Sequence, residues 1–260
     1  MSRWTLNIFC LLVYIFLMAP IIVVIGASLN AGAFLTFPPQ GLSLRWYVTF
    51  FHNDVFLRAI GTSLWVAAIA TFFSVIIGTM AALYYVHFAG KRKEWLRVAL
   101  ISPLLLPEIL TAVALLFFLY GVGIGTKTMF GMLVGHVLMT LPFVFMNVSA
   151  SLESYDTDWT MAARSLGAKP WVRFRRIVLP LIKPGLIGGT LFSFVISFDI
   201  YTISLLLKSI GTATLPIQLF DYLKTNYTPE AAAVSSVSIL ATLAVVIFVE
   251  KVVGLKVHKF

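Results

Sequence analysis

The sequence predicts an all-α integral membrane protein with six transmembrane helices and both termini on the cytoplasmic side. Three observations carry this. Of the 260 residues, 60% are apolar and only 11% charged, a balance that leaves a water-soluble surface short of polar groups. The apolar residues gather in six stretches, near 7–29, 62–86, 98–122, 128–150, 185–207 and 231–249, each close to the ~20 residues that cross a ~30 Å hydrocarbon core. The basic residues are unevenly divided: with the N-terminus inside, only Arg45, Arg58, Lys127, Lys208 and Lys224 of the 19 Lys and Arg residues fall outside, as cytoplasmic enrichment requires. No run of alternating ~10-residue segments suggests a barrel. The net charge of +9 is therefore a topology signal, and nucleic-acid binding is excluded as its explanation.

The first stretch follows Arg3 and is too long for a cleaved signal core of about 7–15 residues, so it reads as a retained helix. Its Cys10 is the one cysteine in the chain, which rules out an internal disulfide. The outer loop that follows carries Pro38, Pro39 and Gly41 and suits a short ordered segment, with Trp46 and Tyr47 at headgroup depth. Residues 87–97 form a basic inner hairpin that anchors topology. In the third stretch Pro103 and Pro107 each remove a backbone donor, which predicts a kink near Glu108 facing protein or a cavity. Gly131 and Gly135 form a small-xxx-small step on the fourth helix, permitting close helix approach.

Glu108 and Asp199 are the acids inside the six stretches. Counted along uninterrupted helices they lie about 15 and 21 Å deep at 1.5 Å per residue. An intramembrane charge costs roughly 2.5–3.5 kcal/mol on insertion scales, so such acids face a cavity or a partner. With no Lys or Arg in the six stretches, a pathway here is negative and suits an amine cation. Phe194, Phe198 and Tyr201 lie near enough to Asp199 to add cation–π attraction. Glu108 has a bland reading too, as a local partner for groups the prolines free, and Asp199 as a partner-helix contact. The chain shows no catalytic constellation or Cys/His metal cluster, and its four histidines are scattered. The loop from Gly121 to Thr128 fails the phosphate-loop pattern, because Thr126 stands where Gly must precede Lys127. Any ATP hydrolysis belongs to another subunit.

Between about 152 and 184 the chain changes character, with three acids early and six bases later. It reads as two short helices around a turn. Asp156 or Thr157 caps the first, which ends at Gly167 in a left-handed conformation. Pro170 opens the second, over residues 171–178, and Leu179 with Pro180 ends it and redirects the chain. Ala162 and Ala163 carry little bulk, so a partner surface can approach the backbone.

The run Met161, Ala162, Ala163, three residues, Gly167, nine residues, Ile177, Val178, Leu179, Pro180 resembles the EAA loop of permease subunits of type I ABC importers. It departs only at its first position, where Met161 replaces Glu, a change for which neighbouring Asp158 is the candidate substitute. The resemblance implies a MetI-like permease over residues 1–260 as a single transmembrane domain in the bacterial cytoplasmic membrane, with Met161, Ala162, Ala163, Gly167, Ile177, Leu179 and Pro180 forming the loop that couples it to an ATPase. It also implies the partners: a homologous second permease, two ATP-binding subunits that hold ATP and Mg, and an extracytoplasmic substrate-binding protein. The segments Ser197 to Tyr201, Thr214 to Ile217 and Thr228 to Ala231, with Leu106 to Ile109, look like the spermidine/putrescine branch. That implies a small cationic solute entering by alternating access past Glu108, Asp199, Tyr201 and Phe198. The same machinery carrying an opine, an amino-acid derivative or a phosphonate is the alternative. An ATP-independent secondary transporter and a membrane-embedded enzyme are the readings from other classes.

Overall fold

The computed structural model describes residues 3–124, 128–154, 158–209 and 211–253. Among them the chain is helical, with a single isolated antiparallel bridge between Asn30 and Leu42. The helices are α1 (Arg3–Ser28), α2 (Arg45–Phe51), α3 (Asp54–His87), α4 (Lys93–Leu105), α5 (Glu108–Gly121), α6 (Met129–Glu153), α7 (Asp158–Ser165), α8 (Pro170–Arg173), α9 (Leu179–Asp199), α10 (Thr202–Leu207), α11 (Leu215–Leu223) and α12 (Glu230–Val253). Five helical stretches among the described residues are long and apolar enough to cross a membrane, and α4 with α5 adds a sixth if that broken pair is one span.

The kink expected near Glu108 is a full break. Leu106 is extended (φ −91°, ψ 145°), Pro107 follows at φ −54°, ψ 129°, and α4 and α5 meet at 106°. The residue before a proline is pushed out of the α region, and Pro107 has no N–H to continue the ladder. Glu108 is thus the first residue of α5, not a residue ten positions into a helix. The fifth predicted stretch is also divided: α9 stops at Asp199, Ile200 is extended (φ −67°, ψ 117°), and α10 is a separate short helix. The depth reckoned along an uninterrupted helix therefore does not apply to Glu108, whereas residues 185–199 are continuous within α9 and the count to Asp199 crosses no break.

The described chain forms two compact units. The first comprises Met1–Arg58 and Gln218–Val245. Its outer loop is ordered around the buried Asn30, whose amide donates to Phe34 O (2.9 Å) and Thr36 Oγ1 (2.8 Å) and accepts from Gly32 N and Gln40 N. Trp46 Nε1 donates to the Asn30 carbonyl at 3.0 Å. A second buried polar centre, Glu230, accepts from Asn53 Nδ2 (2.9 Å) and from the Tyr222 hydroxyl (2.8 Å). Since that phenol has one proton to give, Thr228 Oγ1 donates to it, at 2.7 Å. Burial pushes the Tyr222 hydroxyl above its ordinary value of 10, so it stays a donor. Glu230, part of a motif that suggested a substrate class, here clamps the start of α12.

The second unit comprises Ala59–Ile217 and Val246–Phe260. Its most extensive helix pair is α6 with α9, and glycines explain the close approach. A Cβ at Gly185 would collide with Ser151 Oγ and the Asn147 carbonyl, and one at Gly189 would lie 2.8 Å from Val144 Cα. The Gly131 and Gly135 step also packs tightly: a Cβ at Gly135 would sit 2.6 Å from Ile203 Cγ2 and 2.8 Å from Leu207 Cδ1. Two apolar cores result. One gathers Val66, Leu115, Met132, Ile200, Ile203 and Leu207, and the other Tyr85, Val144, Phe145, Leu152, Val178 and Ile182.

Candidate coupling segment and acidic helix break

The loop between α6 and α9 begins with α7, whose Asp158 lies in its first turn, where an acid complements the helix dipole. The expected caps Asp156 and Thr157 lie outside the described residues. The other end is closed as the sequence requires. Gly167 has φ +77°, its N–H bonds to Arg164 O at 3.0 Å, and the Ala168 N–H bonds to Ala163 O at 3.0 Å. These are the paired bonds of a Schellman cap, which satisfy carbonyls that the helix end would otherwise leave open. Nothing lies within 4 Å of where a Cβ would stand on Gly167, so backbone conformation alone demands glycine there.

Lys169 is extended (φ −61°, ψ 150°) ahead of Pro170, which takes the first position of α8. From there the structure departs from expectation. Leu179 and Pro180 do not end a short helix: α8 passes through a π-helical turn, Phe174–Val178, directly into α9, so that Pro170–Asp199 is one helical stretch of 30 residues. Pro180 offers no N–H and its ring crowds the carbonyl of Arg176 four residues back. The wider π turn just before it relieves that clash without breaking the helix.

α7 and α8 bury no residue. Met161 is 56% exposed, Ala162, Gly167 and Pro180 are exposed, and Ala163, Ile177 and Leu179 are half-buried. The sequence did not single out the large apolar side chains around them: Trp159, Leu166 and Trp171 are 61%, 88% and 67% exposed. Their signal was bulk apolar residues in an otherwise charged loop. With Met161, which stands where the family pattern carries an acid, they leave large apolar side chains exposed among the exposed bases Arg164, Lys169, Arg175 and Arg176. At the other end of the loop Val178 and Ile182 enter the second core, against Val144, Val148 and Leu152 of α6.

Glu108 reaches the α9–α10 break, and Asp199 is the last residue of α9 beside it. Glu108 Oε1 accepts the Ile203 N–H at 3.3 Å, one of the donors that a new helix leaves open in its first turn. Glu108 is half-buried, Asp199 closes α9 and is exposed, and Tyr201 is half-buried at the non-helical step. Phe198 stacks on Phe194 with centroids 6.4 Å apart. Glu108 thus serves a break that its own prolines do not cause, which is a longer-range version of the local role considered for it. Asp199, by contrast, is left facing outward with Phe198 beside it.

Comparison with known proteins gives these features a family. The model for the binding-protein-dependent transport system inner membrane component matches residues 74–257. The spermidine/putrescine transport system permease protein PotC of Haemophilus influenzae is 33% identical over 251 residues, covering 95% of this chain and 96% of that protein. The putrescine transport system permease protein PotI of Escherichia coli (strain K12) is 32% identical over 254 residues, covering 95% of this chain and 89% of its own. In the solved structure of a bacterial alginate ABC transporter in complex with an alginate pentasaccharide-bound periplasmic protein, one chain superposes with a TM-score of 0.73 at 17% identity, over 95% of this chain and 93% of that one. The last likeness is one of fold. The all-α architecture is therefore that of a type I importer permease, and the chain belongs to the binding-protein-dependent transport system inner membrane component family, as a membrane-embedded permease subunit of an ABC importer in the inner membrane.

Proposed function

We propose that this permease imports a small cationic solute, a polyamine such as putrescine or spermidine, from periplasm to cytoplasm by alternating access. One observation carries the choice of charge. Glu108 and Asp199 converge on a helix break within sequence that has no Lys or Arg from Pro184 to Leu207 or along α5. Non-helical backbone at membrane depth belongs where protein or a water-filled cavity surrounds it, and half-helix ends facing such a cavity bind ions. The names of the two relatives support the same class.

The coupling segment supplies the drive. ATP and Mg are held by two partner ATPases, whose closure engages the exposed face around Ala162 and Gly167. A second permease completes the pathway, and a loaded extracytoplasmic binding protein docks on the outer side. With six spans and both termini cytoplasmic, the basic loop faces those ATPases. Movement of α7 and α8 passes through the π turn to α9 and reaches the break at its far end. The test is uptake by the complex reconstituted with its partners in proteoliposomes. Labelled putrescine and spermidine should enter with ATP and not without it. Uptake of an anionic aminophosphonate in their place would overturn the cationic reading, and uptake without any ATPase would overturn the coupling.

A further inference from the structure

A buried histidine that neither the coupling segment nor the acidic pair uses lies beside the same break. His136 on α6 is fully buried. Its Nδ1 is 2.8 Å from Ser197 Oγ, in the last turns of α9, and its Nε2 is 2.9 Å from Ser204 Oγ, in the first turn of α10. Ser204 Oγ also donates to Ile200 O at 2.8 Å, so its single proton is committed and it can only accept from the ring. The ring proton therefore sits on Nε2, and Nδ1 accepts from Ser197. The backbone of His136 is itself held: its carbonyl accepts from Thr140 Oγ1 at 2.8 Å, and that hydroxyl pairs with Ser74 Oγ of α3 at 2.7 Å. One residue earlier, Gly135 brings α6 against Ile203 and Leu207.

We infer that His136 is a positioning residue: its imidazole spans the interruption between α9 and α10, fixes the non-helical Ile200–Tyr201 step, and so sets where Asp199, Phe198 and Tyr201 point. The end carbonyls of α9 and the first donors of α10 have no helical partners of their own. Three side chains supply them or hold their neighbours: Glu108 at Ile203, Ser204 at Ile200, and His136 across both segments. Packing alone lets a short six-residue helix swivel, whereas a planar ring bonded at both nitrogens fixes distance and direction together. This inference rests on the proposed pathway only for its relevance to transport.

The test reads the break itself. In the reconstituted complex carrying Cys10→Ser, a cysteine replaces Tyr201 and its labelling by a small cationic thiosulfonate is timed without substrate. A cysteine replacing Phe88, an exposed residue just past the end of α3, is the control. His136→Ala, Ser197→Ala and Ser204→Ala should each raise the rate at position 201 by about tenfold, the effect of one buried hydrogen bond lost, and leave position 88 unchanged. His136→Gln, which places an amide near the Nε2 position and keeps only the Ser204 link, and His136→Asn, which keeps only the Ser197 link, should each raise the rate as the serine variants do. Unchanged labelling at 201, or an equal rise at both positions, overturns the latch. If His136→Ala does not insert, the two serine variants decide. A failure of Asp199→Asn to alter uptake would count against the pathway and leave this readout untouched.

Discussion

Substitution of Gly167 separates conformation from bulk at the heart of the coupling segment. The residue stands at φ +77° with open space where a side chain would project, so any penalty comes from the backbone. Holding an ordinary L-residue in the left-handed region costs roughly 1–2 kcal/mol, Asn tolerates it better than other side chains, and β-branched residues fare worst. α7 buries nothing, so no tertiary packing offsets that cost, and the capped form of the loop falls in population by about 5–30-fold. Substrate-stimulated ATPase activity and uptake of the reconstituted complex should therefore decline in the order Gly, Asn, Ala, Val, with Val losing at least about tenfold. Membrane level should stay constant across the series, because the site touches no core. A ranking by side-chain volume, with Asn worse than Ala, would show that a partner's surface and not the cap sets the requirement. Wild-type activity in Gly167→Val would refute the lever altogether.

Asp199→Asn should raise the KM for a diamine by about tenfold, near 1.4 kcal/mol, and leave ATPase assembly intact; an unaltered KM at limiting substrate places the acid outside the pathway. Gly135→Leu forces side-chain atoms into Ile203 and Leu207 and should cost roughly 1–3 kcal/mol, read as a lower Tm of the purified protein in detergent. Gly185→Ala should be more damaging than its one methyl suggests, because the Asn147 backbone carbonyl in its way cannot rotate aside; normal yield of folded protein would contradict the seam. Glu153→Gln removes a 2.7 Å ion pair with Lys93 whose side chains are 38% and 46% exposed, and solvent screening should leave the Tm of the purified protein in detergent nearly unchanged.

What could be read in the sequence was whatever a local rule governs. The apolar stretches, the Gly167 cap, the Pro170 start and the close step at Gly131 and Gly135 all follow from one residue's backbone or bulk. Pro107 announced a disturbance, although its size depends on Leu106 adopting the extended conformation. The interruption after Asp199 could not be seen, because Ile200 and Tyr201 are not helix breakers. It is held open by groups far along the chain, Glu108 and His136, and pairs separated by 95, 61 and 68 positions leave no periodic trace. The π turn was hidden for the opposite reason. Pro180 reads locally as a stop, and only the packing of Val178 and Ile182 against α6 makes continuing the helix worth a widened turn.

That continuation changes how force crosses the molecule. Had the chain turned at Pro180, motion of the small helices would reach the membrane through a flexible corner. Instead 30 helical residues from Pro170 to Asp199 span roughly 45 Å at 1.5 Å per residue, with the proposed docking face at one end and the acidic break at the other. The glycines at 185 and 189 set α9 against the backbone of α6, and backbone contacts yield less than side-chain tips. A tilt at α8 must then reappear at Ile200, where the helix ends and the hydrogen-bonded joint to α10 begins. On the proposed mechanism the bond network there would convert rigid rotation into a change in direction of Asp199, so the seam glycines and the histidine joint should be coupled: combining Gly189→Ala with His136→Ala should cost less than the two separate losses combined, since either one alone would already break the same transmission. Strict additivity of the two in uptake measurements would mean that α9 is not the path.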